Sequence, residues 1–450
     1  MASKHAGRLR LVLLILLGLA LVFILYRYTL HRMVESKLEE IRKEGYPVTL
    51  AELDKWYPQP PPGENAADMY LQAFQHNVKS DGDTNLPIVG FAHTPSRGVP
   101  LPSEMEQGIA EFLNTNQEAL TLLHKATTIK TYRYPKDFSD PNKMIGSEMK
   151  QFTATRQGER LLCLESLSAS AKGDSKKTAK SIADSLVLAE TLRDRSLLIS
   201  YLVEKACLGM TIFSLDQAMS RLAFTEPQLV ELSAAFRDVE TTNSFTQALV
   251  GERAWGNEEW DEIRKGKVPL TDLTRYSDEK IGIFDRLVTI IYRPSGLVDL
   301  DHIADLDLLD GLIKSSTIAF PQRFERINLL TSKAGRFRVL PLARIRAKLL
   351  RNSAKRDARF IAQLRCAITS VEIERFRNTN GTLPDSLDNL LPAFLNSVPI
   401  DPFDGQPLRY KKLAKGYVVY SVGEDGKDDG GAEPRQGYTP GTDITFTVER

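Results

Sequence analysis

A short acidic, glycine-rich loop near the carboxyl terminus is the segment of this 450-residue chain whose residue types could do chemistry. Residues 423–431 read Gly-Glu-Asp-Gly-Lys-Asp-Asp-Gly-Gly and follow the largely apolar run Tyr-Val-Val-Tyr-Ser-Val at 417–422. Calcium prefers six to eight oxygen ligands, and carboxylates separated by glycines let a loop fold around such an ion. Asp-Gly pairs are also ordinary turn formers, so a solvated hairpin loop is the alternative. The spacing does not fit an EF-hand.

The elements around this loop are predicted to form a small α+β domain over residues 351–450. A long helix runs to about residue 378, and Asn380-Gly381 after it is typical of a left-handed helix cap. Residues 408–412 and 417–422 predict a hairpin, and residues 443–448 alternate as a third strand. The ending is therefore expected to be a long helix packed on a three-stranded antiparallel sheet.

These carboxyl-terminal motifs resemble the carboxyl-terminal domain of the major pseudopilins of type II secretion. The resemblance covers residues 354–450 and includes the Asp-Pro-Phe-Asp-Gly turn at 401–405 and the loop that follows the hairpin. In that family the loop binds calcium through side chains and backbone carbonyls. The resemblance implies side-chain ligands at Ser421, Asp425 and Asp443, and this sequence offers two additional candidates, Asp428 and Asp429.

Two features separate this chain from a pilin-like subunit. A prepilin peptidase site needs a short basic leader that ends in Gly at the junction with the apolar run and a Glu at the fifth position of that run, and neither the junction nor the Glu is present. In pseudopilins the long helix continues the membrane segment, whereas more than three hundred residues intervene here. We therefore predict no pilus or pseudopilus assembly. The whole layout resembles a group of uncharacterised membrane-anchored bacterial proteins, which implies no activity.

The amino terminus predicts a membrane anchor within residues 1–32. Three basic residues precede an uncharged apolar run at 11–26. This run is slightly short of the roughly 20 residues that span a bilayer, but it extends to Leu30 if Arg27 snorkels to the headgroups. No small-residue cleavage motif follows the run, so a retained single-pass anchor is favoured over a cleaved signal sequence.

Charge and the predicted calcium loop give opposite indications of the side of the membrane on which the body lies. Three cations precede the apolar run and five follow it by residue 43, so the positive-inside rule would place the body in the cytoplasm. A calcium loop would suit a calcium-rich exterior, and a periplasmic or extracytoplasmic body is predicted on that ground. Cys163, Cys207 and Cys366 lie in apolar helical patterns and are expected to be buried free thiols in either compartment.

The middle of the chain is predicted to be helical. Residues 33–63 are expected to form a charged stalk and a proline-rich spacer, and residues 64–350 a helical domain. Apolar residues recur at helical spacing on both sides of the Lys-Gly-Asp break at 172–174. Such hairpins are similar to tetratricopeptide units, although the 34-residue consensus does not repeat. The predicted fold is mostly α, with a tetratricopeptide-like body behind the membrane helix.

Two helix starts carry a capping-box pattern, in which a Ser or Thr is followed three residues later by Glu or Gln. The pattern occurs at Ser103 with Glu106 and at Thr225 with Gln228. Both positions precede apolar residues at helical spacing. Helices are therefore predicted to begin at both.

The overall charge argues against nucleic acid as a partner. The chain is 42% hydrophobic and 26% charged, with a net charge of +1. Residues 336–359 are locally basic, with nine Lys or Arg against one acid. This segment could touch anionic lipid or nucleic acid, but intramolecular pairing with the acidic helix at 299–310 is favoured, since the charges nearly cancel over the chain. Aromatic residues for base stacking are also sparse there.

Recognisable catalytic motifs are absent from the sequence. The six histidines are scattered singly, and no HExxH, GxSxG, P-loop or GxGxxG occurs. The best pair, His302 and Asp305, is one helical turn apart and is expected to be a surface hydrogen bond rather than a catalytic dyad.

The predicted role is a non-enzymatic, membrane-anchored helical scaffold or interaction protein of the bacterial cell envelope, with a calcium-stabilised ending and a link to secretion. Its protein partner is not indicated by the sequence. One alternative is an envelope hydrolase that uses carboxylates such as Glu252, Glu258 or Glu259. The other is a cytoplasm-facing adaptor that binds anionic lipid or nucleic acid through residues 336–359.

Overall fold

The computed structural model describes residues 2–80, 82–139, 141–193, 197–267, 290–335, 340–433 and 442–450. The helices are α1 (Ala2–Lys43), α2 (Leu50–Trp56), α3 (Ala66–His76), α4 (Ser103–Thr115), α5 (Gln117–Ala126), α6 (Pro141–Ala171), α7 (Ser175–Glu190), α8 (Leu198–Met219), α9 (Glu226–Thr241), α10 (Ser244–Arg264), α11 (Leu297–Ser316), α12 (Gln322–Ala334) and α13 (Pro341–Asn380). The strands are β1 (Arg409–Lys412), β2 (Tyr417–Ser421) and β3 (Ile444–Val448).

Helix α1 joins the apolar amino-terminal segment to the body without a break. Its apolar part has a mean hydropathy of 2.8 over the best window, and none of that window is buried, so this helix is long and apolar enough to span a membrane. Beyond it, a stripe at helical spacing is buried and belongs to a core cluster with residues of α11: Val34, Leu38 and Ile41. The segment predicted as a stalk is therefore packed along the body in its helical part.

Helix α8 is the second described helix that is long and apolar enough to cross a membrane, with a mean hydropathy of 1.4. Its best window is 61% buried, and it packs on α6, α7 and α13. Cys207, Leu208 and Leu215 of this helix lie in the largest core cluster. Its apolar character is explained by that burial, as expected for the central helix of a large body.

The helical middle contains the expected hairpin of α6 and α7. The two helices pack against each other across a turn in which Gly173 adopts φ +73° and Asp174 caps α7 by accepting a bond from Lys177 N. Thr225 and Gln228 form the predicted capping box of α9. At α4 the helix instead begins at Ser103 with Pro102 in the cap position, so the second predicted box is wrong. The tetratricopeptide-like repeat stays a prediction.

Helix α13 connects the helical body to the carboxyl-terminal sheet. Ala347, Leu350 and Ala354 pack among the helices of the body, whereas the later turns pack on β2 and β3. The strands pair antiparallel in the order β1-β2-β3, and Gly381 ends α13 at φ +73°. The predicted long helix on a small antiparallel sheet is confirmed. The domain boundary drawn at residue 351 falls inside α13, which belongs to both regions.

Candidate functional site

A cleft of about 240 Å³ opens between α4, α6 and the loop that follows α3. We call it the α4–α6 cleft. Its apolar lining is Val78, Val89, Phe112 and Leu161, and its polar lining is Asn77, Lys79, Ser80, Gln157 and Arg160, with Gly82 between. The volume lies just below the about 300–1,000 Å³ of sites for drug-sized ligands, so the cleft suits a short segment of a partner better than a large cofactor.

The loop wall of the cleft is held in place by one buried side chain and by its own turns. Asn116 is fully buried; its Oδ1 accepts a bond from Val78 N at 2.7 Å, and its Nδ2 donates to the Phe112 carbonyl at 3.0 Å. Ser80 Oγ donates to the Val89 carbonyl at 2.6 Å and closes the loop across the cleft. These hydrogen bonds hold the described part of the wall in one conformation.

The same wall contains backbone strain. Ile88 has φ +66°, a conformation that β-branched residues rarely adopt and that costs of order 1–3 kcal/mol. At Gly90 a β-carbon would lie 2.1 Å from the Asp83 carbonyl oxygen, so only glycine fits there. Ile88 directly precedes Val89 of the cleft lining. Such strain is concentrated at binding and catalytic sites in proteins.

Two cations of the cleft, Lys79 and Arg160, make no ion pair or side-chain hydrogen bond with any other described residue. The described lining contains no carboxylate, and Asp81, between Ser80 and Gly82, lies outside the described residues. Val78 is 49% exposed, and Phe91, whose ring lies against Gly82, is 77% exposed. The described part of the cleft therefore places an apolar surface beside two positive charges, which is the chemistry that complements an apolar group next to a carboxylate.

Four of the five predicted calcium ligands, all except Asp429, use their side chains in hydrogen bonds within the protein. Ser421 Oγ donates to Asp401 Oδ1 at 2.9 Å, and the two oxygens of Asp443 accept bonds from the backbone N–H groups of Asp429 and Gly431. Asp425 and Asp428 each accept the N–H two residues further on, as in ordinary turns. Within the described residues no group of three or more His, Cys, Asp or Glu is placed to hold a metal.

One electrostatic feature of this loop favours a cation. Burial raises the pKa of Asp443, and the charges of Asp428 and Asp429 raise it further. The backbone donors from Gly431 and Asp429 act in the opposite direction. A bound cation would relieve the repulsion among these three carboxylates. Calcium binding stays a prediction, and residues 434–441 between the loop and β3 lie outside the described residues.

Two carboxylates of the hydrolase alternative, Glu252 and Glu259, lie beside one largely buried arginine together with Asp305. Arg346 of α13 lies 3.1 Å from Asp305, 3.5 Å from Glu259 and 3.6 Å from Glu252. Burial raises the pKa of each of these carboxyls, and the guanidinium opposes that rise. At Gly256 a β-carbon would lie 2.8 Å from Arg346 Nη1, so glycine leaves the space for this side chain. The geometry is that of a charge-compensated core cluster.

Glu258 lies apart from that arginine cluster. Its Oε1 accepts a bond from the Leu50 backbone N–H at 3.4 Å, at the start of α2. It therefore supports the packing of α2 on α10. The structure does not bring the three proposed carboxylates to a common water-accessible centre among the described residues.

His302 and Asp305 do not bond to each other, and both are buried. The His302 ring stacks on Trp260 with centroids 5.1 Å apart, and Arg264 donates to its Nδ1. Asp305 accepts from Trp260 Nε1 at 2.9 Å. Burial and the two neighbouring arginines lower the pKa of His302. The predicted surface hydrogen bond is wrong, because α10 and α13 supply closer partners.

The basic segment at 336–359 is only partly available for an outside partner. Arg346 pairs with Asp305 of the acidic helix, as favoured above, while Lys355 lies 3.3 Å from Glu424 and Arg351 donates to Ser332. Residues 336–339 lie outside the described residues. Three of its described cations, Arg346, Arg351 and Lys355, are therefore engaged with α11, α12 and the carboxyl-terminal loop.

Sequence reasoning misses the α4–α6 cleft, because its lining comes from separate segments, residues 77–89, α4 and α6. No local pattern links Lys79 to Arg160. The available signal is the presence of hydrophobic residues, among them Val78 and Phe91, in a loop rich in Gly, Pro and Asp. Comparison of the chain with protein-family models, with curated proteins and with solved structures finds no match.

Proposed function

We propose that this protein is a membrane-anchored, non-enzymatic interaction protein of the bacterial cell envelope. Its helical body binds a short apolar segment of a protein partner, next to a carboxylate of that segment, in the α4–α6 cleft. The observation that carries the proposal is that Lys79 and Arg160, beside the apolar lining, have no ion-pair partner in the part of the chain that the structure describes. The fixed and strained loop wall supports it, since a preformed surface loses less entropy on binding.

Retention of the anchor is supported by the packing of α1. The helix runs from the apolar segment into residues that belong to the core, with Leu30 and Val34 buried. Arg27, at the end of the apolar run, lies 3.4 Å from Asp299 and donates to the Arg293 carbonyl. A segment that is part of the body's core is expected to remain attached to it.

The cleft is tested by photo-crosslinking in living cells. A photoreactive phenylalanine analogue in place of Phe91 is expected to give one discrete adduct with a protein partner. Arg160→Glu in that background is expected to reduce the adduct about tenfold or more, because a charge-assisted hydrogen bond contributes about 1.5–3 kcal/mol and 1.4 kcal/mol is a factor of ten. Lys79→Glu is expected to act in the same direction.

The matched control carries the same charge change on the turn between α6 and α7. Lys172→Glu is expected to leave the adduct unchanged, because Lys172 is exposed and does not line the cleft. A second control places the photoreactive residue at Val230, which is 44% exposed on α9. Equal adducts from positions 91 and 230, or an adduct insensitive to Arg160→Glu, would refute partner binding at the cleft.

We also propose that calcium stabilises the carboxyl-terminal region and that the body lies outside the cytoplasm. Millimolar calcium is expected to raise the melting temperature of the full-length protein in detergent, because a ligand that binds only the folded state stabilises it. Asp425→Ala/Asp443→Ala is expected to abolish the increase, and Asp388→Ala, an exposed carboxylate on another turn, to preserve it. If millimolar calcium leaves the melting temperature of the unmodified protein unchanged, the calcium proposal is refuted, and the reason given for placing the body outside the cytoplasm is removed.

A further inference from the structure

The end of the membrane segment is in direct contact with one turn of the body. Arg27 Nη1 donates to the Arg293 carbonyl at 3.1 Å. Gly296 has φ +90°, and a β-carbon there would lie 2.9 Å from both Arg27 Nη1 and Leu30 Cδ1. The turn at 293–296 is therefore packed against the first residues of α1 that follow the apolar run.

The length of the apolar run places this turn at the edge of the bilayer. The run at 11–26 has sixteen residues, which is about 24 Å of helix at 1.5 Å per residue, against a hydrocarbon core of about 30 Å. The difference of about 6 Å draws neighbouring residues toward the acyl chains. Tyr28 is 62% exposed and lies one residue beyond Arg27, in the position of an interfacial aromatic anchor.

Two exposed isoleucines lie directly before that turn. Ile290 is 73% exposed and Ile291 is 50% exposed, in a helical turn that covers residues 290–295. Ile290 is three residues from Arg293, which is about 4.5 Å along a helix. Both are therefore close to the level at which α1 leaves the hydrocarbon region, and adjacent exposed isoleucines are costly in water.

The turn that carries them is fixed to the body. Tyr292 is fully buried, and its hydroxyl donates to Asp301 Oδ2. Arg293 Nε donates to the Ile263 carbonyl at 2.9 Å, at the end of α10. The isoleucines therefore cannot turn inward without breaking these bonds, and both stay largely exposed in the described part of the chain.

We propose that Ile290 and Ile291 insert into the acyl–headgroup boundary of the bilayer that α1 spans. The occupant of this apolar surface is the lipid itself, because Arg293, within three residues of both isoleucines, contacts Arg27 at the end of the exposed apolar part of α1. The body then lies on the membrane with a fixed orientation, held at two points. This inference rests on the retained anchor of the proposed function.

The inference is tested with full-length protein reconstituted into vesicles of phosphatidylethanolamine and phosphatidylglycerol. The three native cysteines are buried, so a cysteine introduced by Ile290→Cys can be labelled with an environment-sensitive fluorophore. We expect its emission to shift to shorter wavelength and to be quenched by lipids that carry a spin label near the glycerol end of the acyl chain. Val230→Cys, on α9, is the labelled control and is expected to show neither effect.

A second variant checks that lipid contact, rather than local packing, causes the quenching. Ile291→Asp in the labelled Ile290→Cys protein is expected to reduce the quenching at least twofold, because a carboxylate resists transfer into the boundary. Ile318→Asp, at an exposed isoleucine after α11, is expected to leave it unchanged. Quenching that Ile291→Asp does not reduce would overturn the inference.

The anchor and the second contact fail in distinguishable ways. Protein that stays in the vesicles after an alkaline wash, but whose label at position 290 is quenched no more than the label at position 230, refutes the second contact and leaves the anchor intact. Protein that is removed by the wash refutes the anchor and the inference together. Retention with selective quenching at position 290 supports both.

Discussion

Arg346→Leu is expected to lower the free energy of unfolding by about 3–5 kcal/mol, the usual cost of removing one partner from a buried charge cluster. The guanidinium lies within 3.6 Å of Glu252, Glu259 and Asp305, and its removal leaves these carboxylates without compensation. Without the guanidinium, these carboxylates would take up protons more readily. Because a protonated carboxyl is neutral and needs no compensating charge, the loss of stability is expected to become smaller as the pH falls.

The measurement is urea unfolding of the full-length protein in detergent, followed by tryptophan fluorescence at neutral and acidic pH. Trp260 donates to Asp305 beside the cluster and reports its loss. Lys348→Leu is the matched control, since Lys348 is exposed on the same helix and is expected to change the free energy by no more than about 0.5 kcal/mol. A loss below about 1 kcal/mol for Arg346→Leu at pH 7 would show that the carboxylates are compensated by other groups.

Glu159→Gln is expected to stabilise the protein at alkaline pH and to change little near pH 5. Glu159 is fully buried, accepts bonds from Ser185 and Thr211, and has a pKa that burial raises to about 8. The folded state keeps this proton up to about pH 8, whereas the unfolded chain loses it near 4.5. Folding therefore loses stability as the pH rises from about 4.5 to 8.

The size of the effect follows from the raised pKa. Each pKa unit corresponds to about 1.4 kcal/mol. The free energy of unfolding lost between about pH 4.5 and pH 8 is therefore on the order of 5 kcal/mol at most. Glutamine keeps the shape of the side chain and carries no charge at any of these pH values. The unfolding free energies of the two proteins are expected to diverge progressively above pH 5, with the variant more stable at pH 8 and above.

A control variant separates this group from the other carboxyls. Glu104→Gln, at an exposed position of α4, is expected to follow the unmodified protein at all pH values. Burial also raises the pKa of Asp301 and Glu190 to about 7, but these groups titrate in both proteins and cancel in the difference. Parallel curves for Glu159→Gln and the unmodified protein would mean that the Glu159 carboxyl has its ordinary pKa when folded.

Local patterns predict the local features of this fold well. The capping box at Thr225 and the glycine cap at Gly381 depend on residues within a few positions, and both are confirmed. The box at Ser103 is wrong because Pro102 takes the cap position, so the helix begins one residue earlier than the pattern requires. The sheet and the long helix are predictable for the same reason, since strand alternation and helical spacing are read along one segment.

Features built from distant segments are not predictable in this way. His302 and Asp305 have the spacing of a pair, but Trp260, Arg264 and Arg346 come from other helices and bind them instead. Ser421 is predicted as a calcium ligand by its position, but its hydroxyl donates to Asp401, twenty residues earlier in the chain. The α4–α6 cleft has the same origin, because its two cations are more than eighty residues apart.

The packing of α1 on α11 also sets an order of events during synthesis. Arg27 and its partner Arg293 are separated by 266 residues, which takes about 13–50 s to synthesise at roughly 5–20 residues per second. In the proposed arrangement the anchor is inserted during that interval, while the apolar stripe of α1 has no partner. The body must then complete its fold at the membrane surface. Until α11 has been synthesised, the bilayer is the nearest apolar phase that can cover the apolar stripe of α1.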